Sequence, residues 1–277
     1  MSDMSVLIQY EGMKDCSNVK IWEIEWYKVI HINASHKKLE DLKWIKECIN
    51  LHHLSISSNK LSSLDGLPRC PNLEHLGIWN NNLNSLDGLP YCPKLELLSV
   101  GDNNLSSLSG LENCPNLQCL EAEDNKLISL DGLENCEKLQ RLNIGYNNLS
   151  SVNMLRHCPN LEVLYIDNTN ISSLNSLENC PNLQYLDVSY NNLSSLDGIE
   201  NCANLQYLEA ENNNLSSLDG LESCPKLQKL NISENRQIKT LPNFLIKFKD
   251  LRGLTYDGLE LELEPEMQIW INRLKSE

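Results

Sequence analysis

The stretch LEHLGIWNNNLNSLDGLPYCPK, residues 73–94, decides the fold, because the following 22 residues restate it as LELLSVGDNNLSSLSGLENCPN. Leu73, Leu76, Ile78, Leu83, Leu86, Leu89 and Cys92 return as Leu95, Leu98, Val100, Leu105, Leu108, Leu111 and Cys114. Working outward, nine cysteines (Cys48, Cys70, Cys92, Cys114, Cys136, Cys158, Cys180, Cys202 and Cys224) stand 22 residues apart. A chain that revisits one structural position per turn carries this signature: it is a solenoid, whose repeats bury their apolar faces only against their neighbours.

Within a repeat, Leu76-Gly77-Ile78 alternates with period two, as a short strand with one buried face does. The later leucines recur every three residues, which predicts a 3-10 or extended segment rather than a long helix. Asn59, Asn81, Asn103, Asn125, Asn147, Asn191, Asn213 and Asn235 form one column just after the strand. A buried amide there bonds backbone groups of its own and the adjacent repeat. Thr169 breaks the column, and a hydroxyl replaces only part of an amide's bonding, which predicts a looser turn or a water at that point. Asp-Gly at 65–66, 87–88, 131–132, 197–198 and 219–220 predicts turns with glycine at positive φ. Pro71, Pro93, Pro115, Pro159, Pro181 and Pro225 follow the cysteine and are expected to hold the chain extended before the next strand.

The ends depart from the pattern, as capping repeats do. Val29, Ile32, Ala34, Leu39, Leu42 and Ile45 form a degenerate first repeat. Upstream, Trp22, Ile24 and Trp26 alternate with Glu23 and Glu25, which reads as a strand covering the first turn. Leu227 to Leu251 spans 24 residues, so the register slips there, and Leu251, Leu254 and Tyr256 make a last strand. After Pro265, Met267, Trp270, Ile271 and Leu274 lie at helical spacing. That amphipathic helix is expected to close the core, with partner docking as the sharper alternative. The organisation is one domain over 1–277: a cap over 1–28, repeats over 29–250, and a last strand with a helical cap over 251–277.

The pattern LxxLxLxxNxLxxLxxLxxC resembles the leucine-rich repeat family over roughly residues 29–260. Its repeat length and leucine-rich second half look like the 22-residue class found in internalins and phosphatase-regulatory repeat proteins. The resemblance implies an α/β solenoid, a horseshoe with a concave parallel sheet and 3-10 or extended convex segments. It also implies binding of proteins or peptides through that sheet, and no catalysis.

The bulk composition bounds the partner. A net charge of −15 argues against nucleic acid and anionic membranes and favours a basic partner. The amino terminus, MSDMSVLIQYEGMKDC, shows no secretory signal, and eleven cysteines without one favour free thiols in a reducing, cytoplasmic setting. No apolar run reaches the ~18 residues of a membrane span. The cysteine column lacks the close CxxC pairing of a zinc site and the partnered base of a nucleophile, so it reads as a small apolar filler. Cys119 differs: it falls on the outward face and is expected to be the most reactive thiol.

In strand 75–79, residues 75, 77 and 79 point away from the core, so three outward columns cross the repeats and a fourth lies just beyond each strand. The columns carry Asp102, Glu121, Glu123, Asp124, Asp167, Asp187, Glu209, Glu211 and Glu234, opposed between residues 73 and 227 onward only by Arg141 and Lys229. Trp79, Tyr146, Tyr165, Tyr185, Tyr190 and Tyr207 are interleaved with them. Aromatic anchors ringed by one sign of charge suit a protein-binding surface. The partner-binding residues are therefore expected to be Trp79, Glu121, Glu123, Tyr165, Tyr185, Asp187, Tyr207, Glu209 and Glu211. The densest patch is Tyr165, Tyr185, Asp187, Tyr207, Glu209 and Glu211. His31, His53 and His75 share one outward column, where imidazoles about 5 Å apart could chelate zinc or charge together below pH ~6.5. No carboxylate joins that column, and no metal or other cofactor is expected.

No glycine-rich phosphate loop, nucleophile elbow or metal-ligand motif is present, so no catalytic residues are assigned. The expected function is a monomeric, cytoplasmic, non-enzymatic module that binds a basic protein or peptide. The alternative is a regulatory or targeting subunit of an enzyme such as a phosphatase, which rests on analogy.

Overall fold

The computed structural model describes residues 7–10 and 25–274, in two compact units: the described residues up to 127 with 131–139, and residues 128–130 with 140–274. In the N-terminal unit, β2 (Val29–Asn33), β3 (His53–Ser55), β4 (His75–Gly77), β5 (Leu97–Ser99) and β6 (Cys119–Glu121) pair in parallel, each 22 residues from its neighbour in register. In the C-terminal unit, β7 (Arg141–Asn143), β8 (Val163–Tyr165), β9 (Tyr185–Asp187), β10 (Tyr207–Glu209) and β11 (Lys229–Asn231) do the same, and β12 (Gly253–Thr255) pairs in parallel 24 residues after β11. The strands return through turns and short 3-10 segments such as Asn175–Asn179 and Asp219–Ser223, as three-residue leucine spacing dictates.

The core is a set of columns. Leu76, Ile78, Leu83, Leu86 and Cys92 are almost wholly buried, as are their equivalents in every full repeat. The asparagine column is the polar frame. Asn103 Nδ2 donates to Val100 O (3.0 Å) in its own repeat and to Ile78 O (3.1 Å) in the one before. Its Oδ1 accepts from Leu83 N (2.9 Å). At Thr169 one hydroxyl proton lies between Ile166 O (3.1 Å) and Asn191 Oδ1 (2.6 Å), so a single donor stands where the other repeats have two. The side chain is nonetheless buried and bonded to the following repeat.

Three expectations are corrected. The prolines do not extend the chain: Leu73 N and Leu95 N donate to Cys70 O and Cys92 O (both 3.1 Å), closing β-turns with Pro71 and Pro93 at the second position. There a fixed φ near −65° favours the turn. Among the Asp-Gly pairs, Gly66, Gly132 and Gly198 have positive φ, whereas Gly88 and Gly220 do not. At Gly88 and Gly220 space is the constraint, since a Cβ would lie 2.8 Å from Leu64 C and 2.5 Å from Leu196 O. The strand expected from Trp22 to Trp26 lies outside the described residues up to Ile24, and Trp26–Lys28 forms a 3-10 turn. The edge of the sheet is covered instead by β1 (Leu7–Tyr10), antiparallel to β2.

The 24-residue repeat slips as expected. Ile238 stands three residues after Asn235, where Leu215 stands two after Asn213, and Phe248 replaces cysteine at the inward corner. Beyond β12, α1 (Pro265–Leu274) turns Met267 and Ile271 inward against the 3-10 segment Asn243–Lys247. Ala122 and Ala210, where the other repeats from Ile56 to Ile232 carry valine or isoleucine, are fully buried, and nothing in the structure explains the smaller side chain.

Candidate interaction surface

Leu164, Leu186 and Leu208 point into the core from β8, β9 and β10, which turns their flanking residues to the open face of the sheet. In-register pairing sets Val163, Tyr185, Tyr207 and Lys229 in one row and Tyr165, Asp187, Glu209 and Asn231 in the next. Tyr165 and Tyr185 have ring centroids 4.8 Å apart at 38°, and Tyr185 and Tyr207 follow at 6.1 Å and 30°. The guanidinium of Arg141 lies 4.8 Å from the Tyr165 centroid. One ladder therefore runs Arg141, Tyr165, Tyr185, Tyr207 across four strands, and its last phenol donates to Gln228 Oε1 (3.2 Å).

Carboxylates border the ladder. Asp187 Oδ1 accepts from Ser189 N (2.9 Å). Glu211 accepts from the Tyr190 hydroxyl (2.9 Å) and from Asn231 Nδ2 (3.3 Å). Among the described residues no hydrogen bond or ion pair reaches the Glu209 carboxylate, and no cation pairs with Asp187. Burial pushes the Asp187 carboxyl above its ordinary value; Ser189 pulls it back and Asp167 and Glu209 push further. Burial, then Asp187 and neighbouring Tyr165 and Glu209, pushes the Tyr185 phenol well above its usual value. The patch is thus short of positive charge at neutral pH.

All six residues of the densest expected patch meet here; the other three lie in the N-terminal unit. Trp79 and Glu123 converge over Gly101, where a Cβ would fall 2.8 Å from Trp79 Cδ1 and 2.7 Å from Glu123 Oε1. Trp79 stays 39% exposed. Glu121 Oε1 accepts from the half-buried Cys119 thiol (3.5 Å). His31, His53 and His75 do meet, with centroids 4.2 Å apart at 43° and 4.4 Å apart at 87°, the second pair edge to face. From outside the column, Glu74 reaches this group, lying 3.1 Å from His52 Nδ1 and 3.9 Å from His53 Nε2. Among the described residues no cluster of histidine, cysteine and acidic groups has a metal-binding arrangement.

The cysteine column is not purely a filler. None of the ten described cysteines is in a disulfide. Cys202 Sγ donates to Leu177 O and Cys180 O, both 3.6 Å, so the thiols cap carbonyls of the preceding repeat. Burial pushes Cys70, Cys202 and Cys224 up to about 12, far from the range of a nucleophile.

Sequence reasoning missed the left-handed column. Ser58, Asn80, Asp102, Asp124, Tyr146, Asn168, Tyr190, Asn212 and Glu234 all have φ between 51° and 59°. The recurrent Asn and Asp were the available signal, since their short side chains tolerate this region. Tyr146 and Tyr190 sit in it at a cost of about 1 kcal/mol each. Both point to solvent, 55% and 45% exposed, so packing does not explain them. Arg141 was read as an opposing charge; its place on the ladder depends on a diagonal contact that column reading does not show.

Leucine-rich repeat models match residues 71–113 and 203–247 (two-copy repeats) and 159–215. Among solved structures, the functional domain of InlJ from Listeria monocytogenes, described as including a cysteine ladder, is similar at TM-score 0.67 and 23% identity. That match covers 84% of this chain and 54% of the other. YopM from Yersinia enterocolitica matches at TM-score 0.64 and 31% identity, covering 84% and 50%. The plant peptide hormone receptor RGFR1, solved in complex with RGF2, matches at 0.61 and 23%, covering 80% and 44%. The chain spans about half the length of these structures. No curated protein sequence matches it. The chain is a leucine-rich repeat protein. Proteins of this class generally mediate protein–protein interaction, and their fold is typically a non-enzymatic scaffold.

Proposed function

We propose that this protein is a non-enzymatic binding module that grips a basic protein or peptide on the open sheet face of β8 to β10, as a monomer in the reducing interior of the cell. The observation that carries the reading is the pairing of a half-buried tyrosine ladder on the open face with the carboxylates Asp187 and Glu209, which no cation meets among the described residues. Like charges directly opposite on neighbouring strands destabilise a sheet, and a cationic ligand reverses that cost. The net charge of −15 supports exclusion of nucleic acid and anionic membrane, and no helix of the described residues is long and apolar enough to cross a bilayer. Ten cysteines outside disulfides suit a reducing compartment.

The test compares affinity capture by the native chain and by Tyr185→Ala/Glu209→Lys. The double variant should lose its partner while its melting temperature stays nearly unchanged. Undiminished capture by a folded double variant excludes this face.

A further inference from the structure

We infer that the surface selects arginine over lysine in its partner, seating a guanidinium between the Tyr185–Tyr207 rings and the Asp187–Glu209 carboxylates; this rests on the basic-partner reading above. The ladder already holds one such group, since Arg141 brings its guanidinium carbon to 4.8 Å from the Tyr165 ring centroid. The next rungs repeat the surroundings with no cation over either ring among the described residues, and Lys229 stands in register with Tyr207 at the end of the row. Tyr185 and Tyr207 present rings tilted by only 30°, and the adjoining row, one pleat away, offers Asp187 and Glu209 in register. The paired strands that carry them lie about 5 Å apart.

A guanidinium fits that arrangement in a way an ammonium does not. Its plane covers an aromatic face while its five N–H groups fork outward, so both carboxylates are reached at once. An ammonium is a strongly hydrated point charge that serves one carboxylate at a time and loses more hydration against the rings. Arg141 is thus an internal example of the occupant, and Asp187 and Glu209 supply the countercharge for a second one delivered by the partner.

The experiment titrates the full chain calorimetrically with two probes of equal charge, acetyl-(Gly-Arg)3-amide and acetyl-(Gly-Lys)3-amide. The arginine peptide should bind about tenfold more tightly. Tyr207→Leu should reduce that ratio to about twofold while the lysine peptide still binds. Asp187→Asn/Glu209→Gln, an isosteric change that leaves the fold intact, should weaken both peptides about tenfold or more. Equal affinities for the two peptides overturn the arginine inference and leave the basic-partner reading standing. Failure of both to bind overturns both. A preference that survives Tyr207→Leu, or affinity for both peptides that survives removal of the two carboxylates, overturns the location.

Discussion

Asp187 and Glu209 face each other in register on adjacent parallel strands, and neither carboxylate meets a cation among the described residues. Burial holds the Asp187 carboxyl above its ordinary value. A carboxyl with a raised folded pKa binds more protons folded than unfolded, so its contribution to stability falls as pH rises from its unfolded value through the raised one. At neutral pH the charged group is therefore a standing cost. Asp187→Asn should raise the melting temperature by about 2 °C at pH 7 and give no gain at pH 3.5, below both values. The same substitution should weaken capture of a basic ligand, the opposition of stability and function expected of a binding site. Thermal melts at the two pH values, with binding measured on the same sample, check both halves.

The asparagine column predicts an asymmetric pair of effects. Asn103→Ala removes two donors and one acceptor that satisfy buried backbone groups, so it should cost about 3 kcal/mol. Thr169→Asn restores the donor missing from that repeat and should add about 1 kcal/mol. Urea unfolding measures both.

The histidine stack predicts acid sensitivity. Burial first, and then neighbouring histidines, hold His31 and His53 below their ordinary value, while Glu74 pulls the other way. The groups facing the stack are His31, His52, His53, His75 and Glu74. A histidine lowered in the fold binds fewer protons than in the unfolded chain. Stability is therefore full above about pH 6.5 and declines as pH falls through that value toward the lowered folded ones. His53→Gln, which removes the central ring, should flatten the fall in melting temperature between pH 7.5 and pH 5. An unchanged slope would show that the stack carries no proton linkage.

Thiol chemistry should divide the cysteines. The ladder thiols are buried and pushed up to about 12, as at Cys48 and Cys136, whereas Cys119 sits half-buried on the open face. Among the described cysteines, Cys119 alone should react with a thiol-specific disulfide reagent in the native chain at pH 8. The rest should react only after denaturation. Cys119→Ser should then remove the native reactivity of the described cysteines.

The solenoid was legible because Leu76, Asn81 and Cys92 each answer to a single demand, inward packing or backbone satisfaction, that recurs with the period. What stayed hidden depends on conformation that many residue types can adopt. The left-handed position accepts Tyr190, Glu234 and Ser58 as well as Asn80, so the recurrent Asn and Asp mark it only in part. Gly88 and Gly66 read alike, yet one answers to space and the other to φ. The site was half legible: outward columns follow from strand alternation, which gave Tyr185, Asp187, Tyr207 and Glu209. The diagonal contacts Arg141–Tyr165 and Tyr165–Tyr185 require ring orientations that alternation does not specify.

The most direct measurement places a photo-crosslinking phenylalanine at Tyr207 or, as a control, at exposed Ile128, and maps the partner segment attached to each. The account predicts a product from position 207 on an arginine-containing, net positive segment and none from position 128. Crosslinking through position 128 alone, or to an acidic segment at position 207, would contradict it.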